Sequence, residues 1–296
     1  MERIKTMFDP TQIPKPIIDL ATQATSKSAA SFSEFVSLKL FGKTNARLRA
    51  EAENEYEKIK QAGVIEREAQ KPFIVQMETR KAFRQYSNLG SALIKANSLI
   101  TAPESKITDD NDVFWGLLEH SKEISNEEMQ ELIAKIIAGE YNVPGTYSMS
   151  TLQTIKMLGK KELELFEFVC GLIISEEYIP QELFLDIKEF MKEEMKIDFG
   201  SLQTLQSLGL FLPNGMTKTI INSEKENFEI IYFDKKILFS PDNENYLKIK
   251  LPPLFGLSMV GNQILKHLKP KYNEAYFIWL KENFKIKNYK IIDSAK

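Results

Sequence analysis

Residues 125–142 read SNEEMQELIAKIIAGEYN, and their pattern decides the architecture. Ser125 followed three positions later by Glu128 has capping-box spacing: a hydroxyl reaches forward, and a carboxylate reaches back, to free amides of a helix's first turn. Behind it, Met129, Leu132, Ile133, Ile136 and Ile137 fall at the steps that gather apolar side chains on one helical face. The same period extends upstream. Phe73, Met77, Phe83, Tyr86, Leu89, Leu93, Ala96 and Ile100 trace a core-facing helix, with Arg80, Lys81 and Arg84 on its far side. Val113, Phe114, Trp115, Leu117 and Leu118 form a short apolar helix, and Asp109, Asp110 and Asp112 suit the positive end of its dipole. Downstream, Pro144-Gly145 marks a turn, Ser148 or Ser150 caps a helix through Leu158, and Gly159 ends it. Residues 160–176 then bury Leu163, Phe166, Val169 and Ile173 on one more helix, with Cys170 on the apolar run as an inert core thiol.

The N-terminal region is expected to be helical after an extended start. Pro10, Pro14 and Pro16 each fix a backbone angle and remove a donor, so helix begins near Ile17 and runs to a stop at Gly42. Among the small residues of that helix, Phe32, Phe35 and Phe41 are the candidate partner-facing side chains, or a surface that enters a membrane interface. Asp19 and Glu34 weaken the lipid version. Residues 46–63, ARLRAEAENEYEKIKQAG, have the composition of a solvated helical strut held by charge pairs.

The last third changes period. Phe228, Ile230 and Tyr232 alternate with Ile231 and Phe233, followed by Ile237 to Phe239 and by Tyr246, Leu247 and Ile249, which predicts a small antiparallel sheet. Asp234-Lys235 and Pro241-Asp242-Asn243 are its expected turns. Helix returns over 257–268 and 273–284. The expected fold is therefore mainly α, a multi-helix body with a C-terminal winged-helix-like α+β module. It divides into an N-terminal helical region (1–105), a central helical domain (106–158), and a winged-helix-like module with a basic C-terminal helix (159–296). A winged helix that reads DNA needs donors on the helix before its hairpin, yet SLQTLQSLGLF (201–211) offers only Gln203 and Gln206.

Chemistry is thinly signalled. The chain has 296 residues with 39 basic and 41 acidic side chains, so any electrostatic partner must meet a local patch. One such patch is the end of the chain, where Lys281, Lys285, Lys287 and Lys290 form an alternative contact for nucleic acid or anionic lipid. The stretch Glu104–Glu140 is acidic, and opposite patches of this kind favour self-association. A single cysteine forms no internal disulfide, and two histidines, His120 and His267, supply little for a metal site or a nucleophile's base. Phosphate-loop, dinucleotide and paired-histidine motifs are missing, and the carboxylates around Asp110 lack the glycine and terminal glutamate of a calcium loop. Neither catalytic residue, metal nor cofactor is expected. Met1 to Pro10 lacks the apolar core of a secretory signal, so a cytoplasmic location is expected, with peripheral inner-membrane attachment as a variant.

Residues 112–169 resemble an uncharacterised bacterial family, the domain-of-unknown-function group numbered twenty-eight hundred and six, which is itself related to abortive-infection alpha proteins. Trp115, Glu128-Met129-Gln130, Ala138-Gly139-Glu140, Pro144-Gly145, Ser148 and Phe166 carry the resemblance. It implies no reaction and no catalytic residue; the matched positions read as caps, turns and core. The abortive-infection relation implies phage defence as the setting. The expectation is a non-enzymatic antiviral protein that forms homo-oligomers and meets a phage or host protein, with nucleic-acid binding or membrane activity through residues 17–41 as alternatives.

Overall fold

The computed structural model describes residues 19–20, 26–50, 73–185, 199–221, 227–242 and 248–292. The expected extended prolines, most of the charged strut, the helix continuing to Glu193, the strand residues Tyr246 and Leu247, and Lys296 lie outside the described residues. The fold is mainly helical with small antiparallel sheets. Contacts gather into two compact units, Met1–Leu152 and Gln153–Lys296, where the sequence had predicted divisions after 105 and 158.

The first unit holds α1 (Lys27–Phe41), α2 (Phe73–Asn97), α3 (Asp112–Ser121) and α4 (Glu127–Asn142), and the unit boundary falls within α5 (Met149–Met157). Helix α1 starts where the Ser26 hydroxyl accepts from the Ala29 amide. It stops at Gly42, whose left-handed φ of 64° lets its N–H close onto the Leu38 carbonyl. Helix α4 packs on α2 and α3 with Met129, Leu132, Ile133, Ile136 and Ile137 all buried, as the period predicts. Its cap differs from the sequence expectation. Asn126, not Ser125, accepts from the Met129 amide at 3.0 Å, while Ser125 accepts from Asn88 Nδ2 at 3.2 Å. An Asn one position later reaches the third helical amide equally well, so the serine is released to tie α2 to this end of α4. Helix α3 is capped by Asn111 and carries Asp112 in its first turn as expected, while Asp109 lies outside the helix and meets Lys39 Nζ at 2.6 Å.

The second unit contains α6 (Lys160–Cys170), β1 (Tyr178–Pro180), α7 (Glu182–Leu185), α8 (Phe199–Ser207), β2 (Thr219–Ile221), β3 (Phe228–Tyr232), β4 (Lys235–Pro241), β5 (Lys248–Lys250), β6 (Leu254–Gly256), α9 (Met259–Leu265), α10 (Glu274–Asn283) and β7 (Tyr289–Ile292). Strand β6 pairs antiparallel with β1, β5 with β2, and β4 lies between β3 and β7. Gly159 opens α6, its amide donating to the Glu162 carboxylate at 3.1 Å. The hairpin turn is Phe233-Asp234, one residue earlier than predicted, because Tyr232 pairs with Lys235 and leaves two residues to reverse the chain.

Gly261 is fixed by a close approach. The Leu210 carbonyl accepts from the Ser258 amide at 3.0 Å, drawing the first turn of α9 so near that a Cβ at Gly261 would stand 2.1 Å from that oxygen. Gly to Ala inside a helix ordinarily stabilises by about 1 kcal/mol. Here the sign reverses: Gly261→Ala is expected to destabilise by about 1–3 kcal/mol through overpacking, seen as a lower urea midpoint with an unchanged slope.

Candidate functional site

The residues singled out in the first unit turn inward or pair locally. Phe32 is fully buried and meets Tyr141 edge-on at 4.8 Å, so it is a core ring and not a partner-facing one. Phe35 is half-buried among Phe114, Trp115 and Tyr141, and Phe41 lies 6.0 Å from Tyr86. Helix α1 packs these rings because its Ser and Ala positions let it approach neighbours closely, and its apolar side is used within the unit. Part of the acidic run pairs locally: Glu119 meets Lys122, Glu123 meets Arg84, and Glu127 meets Lys95. Among the described residues no helix is long and apolar enough to cross a membrane, and no group of three or more His, Cys, Asp or Glu is placed to hold a metal ion.

Of the residues that carried the family resemblance, Gly139, Glu140 and Gly145 form one local motif built on the Glu140 carboxylate. The Glu140 side chain, 1% exposed, sits in the last turn of α4. Oε1 accepts from Asn111 Nδ2 at 2.9 Å and from the Gly145 amide at 2.7 Å, and Oε2 accepts from the Tyr147 amide at 3.1 Å. Gly139 leaves room for the Tyr147 phenol, whose oxygen would stand 2.6 Å from a Cβ there. Gly145 supplies a φ of 85° for the turn, and the Ser148 hydroxyl caps α5 by accepting from the Thr151 amide. This motif is a structural lock, and no cation touches the carboxylate among the described residues.

In the second unit the chemistry gathers where β3, α6 and α10 meet. A cavity of about 390 Å³ is lined by Glu164, Glu167, Phe168, Gly171, Leu172, Lys271 and Asn273. At its edge the buried Tyr232 hydroxyl donates to the Gly171 carbonyl at 2.7 Å and accepts from the Asn273 amide at 2.9 Å, joining α6 to the start of α10. The rings of Phe233, Tyr272, Tyr276 and Phe277 surround Tyr232 at 5.0 to 6.2 Å. Tyr276 is buried and Tyr272 and Phe277 half-buried, whereas Phe233 is exposed. It is 45% exposed at the hairpin tip, holds a left-handed φ of 54°, and meets Tyr272 edge-on at 5.8 Å. Ile231, on the same outward side of β3, is 37% exposed. The sequence had placed both on the far side of the strand, and it gave no sign that Phe233 would form the turn, because the tip lacks the Gly or Asn such a conformation favours.

Two groups of the second unit are held in their neutral forms. Burial pushes the Cys170 thiol well up, and burial, then the Glu274 carboxylate to which it donates, raises the Tyr272 phenol. The lysines of the alternative site are all exposed: Lys281 in the last turn of α10, Lys285 and Lys287 flanking buried Ile286, and Lys290 opposite Ser240 in β7.

Two outcomes test the Glu140 lock. Glu140→Gln turns an amide NH₂ toward backbone and side-chain donors that need an acceptor, and is expected to lower stability by about 1–3 kcal/mol in urea unfolding. Burial, then the Glu140 charge, pushes the Tyr147 phenol up to about 12. An unfolded phenol ionises near pH 10, so its contribution is intact below that pH and is lost as pH rises from about 10 to about 12. Tyr147→Phe should therefore show a shallower alkaline loss of stability than the parent chain when urea midpoints are followed across that window.

No curated protein and no solved structure matches the chain. The matched region of the family model runs from the described part of α2 through the lock, the cavity and the hairpin to α10. By that match, over residues 74–281, the chain belongs to the family described as a protein of unknown function (DUF2806).

Proposed function

We propose that the chain is a non-enzymatic bacterial protein that acts through protein contacts, made by the β3–β4 hairpin of a winged-helix-like unit. The element order supports the winged-helix reading: helix α6, strand β1, helices α7 and α8, then strands that return with β6 against β1. The hairpin β3–β4 is inserted between β2 and β5, in the position of a wing.

The observation that carries the protein-contact reading is the Phe233 tip. A bulky residue in the left-handed region costs about 1–2 kcal/mol relative to glycine, and here it holds an aromatic ring in solvent beside exposed Ile231. Strain kept at an exposed position points to a role outside the fold, and a braced aromatic beside an aliphatic is the chemistry that anchors a protein interface. Readout of DNA bases by α8 has no such support. Among the described side chains of α8, Gln203, Thr204 and Ser207 are exposed, and Gln206 Nε2 is committed to the Leu212 carbonyl at 2.8 Å. The partner in this reading is a phage or host protein or a second copy of the chain, met in the cytoplasm. The resemblance to abortive-infection proteins supplies phage defence as the setting.

Phe233→Gly separates the role from the fold. Relief of the left-handed strain is offset by loss of the ring's packing on Tyr232 and Tyr272, worth about 0.5–1.5 kcal/mol per aromatic pair. Stability should therefore change by less than about 1 kcal/mol. In bacteria carrying the full chain, the parent protein is expected to lower phage plating and Phe233→Gly to lose that protection at equal protein level. Protection retained by the variant removes the hairpin as the contact, and no protection from the parent chain removes the defence setting.

A further inference from the structure

We infer that residues 281–290 form a second interaction surface, one that binds the phosphate backbone of nucleic acid without reading its sequence. The segment KENFKIKNYK holds four lysines against one glutamate. Its backbone leaves α10, runs outside helix and strand through Phe284–Ile286, turns at Lys287-Asn288, where the Tyr289 amide donates to the Ile286 carbonyl at 3.1 Å, and enters β7. Phe284, Ile286 and Tyr289 are buried at 1%, 3% and 7% exposure, while Lys285, Lys287 and Lys290 are exposed. Lys285 and Lys287 therefore flank the buried Ile286, a short row of like charge whose backbone is anchored by the side chain between them.

Among the described residues no carboxylate pairs with Lys285, Lys287 or Lys290, whereas Asp109, Glu119, Glu123 and Glu127 of the first unit meet Lys39, Lys122, Arg84 and Lys95. Like charges held together without counter-charge repel, and a polyanion relieves that repulsion while releasing its own condensed counterions. A lipid surface fits less well. Interfacial binding draws on an apolar face turned to the bilayer, and the apolar side chains of this segment point into the protein. Lysines are compact, flexible donors without the planar fork that reads bases, so the surface grips phosphates and leaves sequence unread.

The test is titration of the full-length protein into a fluorescein-labelled single-stranded oligonucleotide of mixed sequence, its duplex, and vesicles of phosphatidylserine and phosphatidylcholine, at several salt concentrations. Binding to the oligonucleotides is expected, with log affinity falling against log salt by roughly 0.7–0.9 per lysine engaged. Lys285→Glu/Lys287→Glu should weaken it at least about tenfold and make the salt slope shallower by about two lysines' worth. The exposed pair Lys156→Glu/Lys161→Glu makes the same change in net charge and should leave binding near the parent value. No binding at low salt, affinity indifferent to salt, equal loss in both charge-reversed variants, or preference for the vesicles would each overturn the inference. Phage plating by Phe233→Gly reads the hairpin alone, so either surface can fail without the other.

Discussion

A carboxylate buried at the C-terminal end of a helix stands at the negative end of the dipole, where its charge is least welcome. Glu140 occupies that position with three N–H donors directed at it from Asn111, Gly145 and Tyr147. The donors make the burial tolerable, and in return the carboxylate fixes where they sit. Asn111 is also the cap of α3, Gly145 is the left-handed residue of the turn after α4, and Tyr147 leads into the Ser148 cap of α5. One side chain thus sets the start of α3, the end of α4 and the path toward α5. The small residues beside it follow from the same geometry, since Gly139 gives the Tyr147 ring its room.

In the second unit a phenol does the comparable work. The Tyr232 hydroxyl is both donor and acceptor in one place, satisfying the Gly171 carbonyl and the Asn273 amide. Gly171 is needed because a Cβ would stand 2.7 Å from the Lys271 carbonyl. Tyr232 is the last residue of β3, so the bond that closes α6 onto the approach to α10 also places the hairpin tip, and Phe233 projects outward from a ring that is itself immobilised. The exposed aromatic is presented by the fold's own packing.

What sequence periodicity made legible was local. The helical face of α4, the stop at Gly42 and the Ser148 cap each depend on residues within four positions of one another. The mainly helical class with a late turn to strands followed from the same signal. Three features were hidden because their causes are distant. The donors to Glu140 include a side chain 29 positions upstream. Strand β4 takes β7 as its second neighbour from across intervening strands and helices. Phe32 and Phe35 looked like partner-facing residues because α1 carries few charges to mark its solvent side, and only the rings of Tyr141, Phe114 and Trp115 settle which way it faces. Phe233 was hidden for another reason: the aspartate in Tyr-Phe-Asp-Lys points to a turn at Asp234-Lys235, and only the pairing of Tyr232 with Lys235 moves it one residue earlier.

The lone thiol offers a reporter. Cys170 ends α6 one residue before the carbonyl that Tyr232 holds, and it is buried among apolar neighbours with its ionisation suppressed. A thiol in that state reacts with an alkylating reagent only when its surroundings open. Because the chain has a single cysteine, the labelling rate clocks the breathing of the second unit with no signal from the first. Anything that seats on the hairpin or the lysine row and steadies the unit would be seen as a slower clock, without a tag and without knowing its identity beforehand.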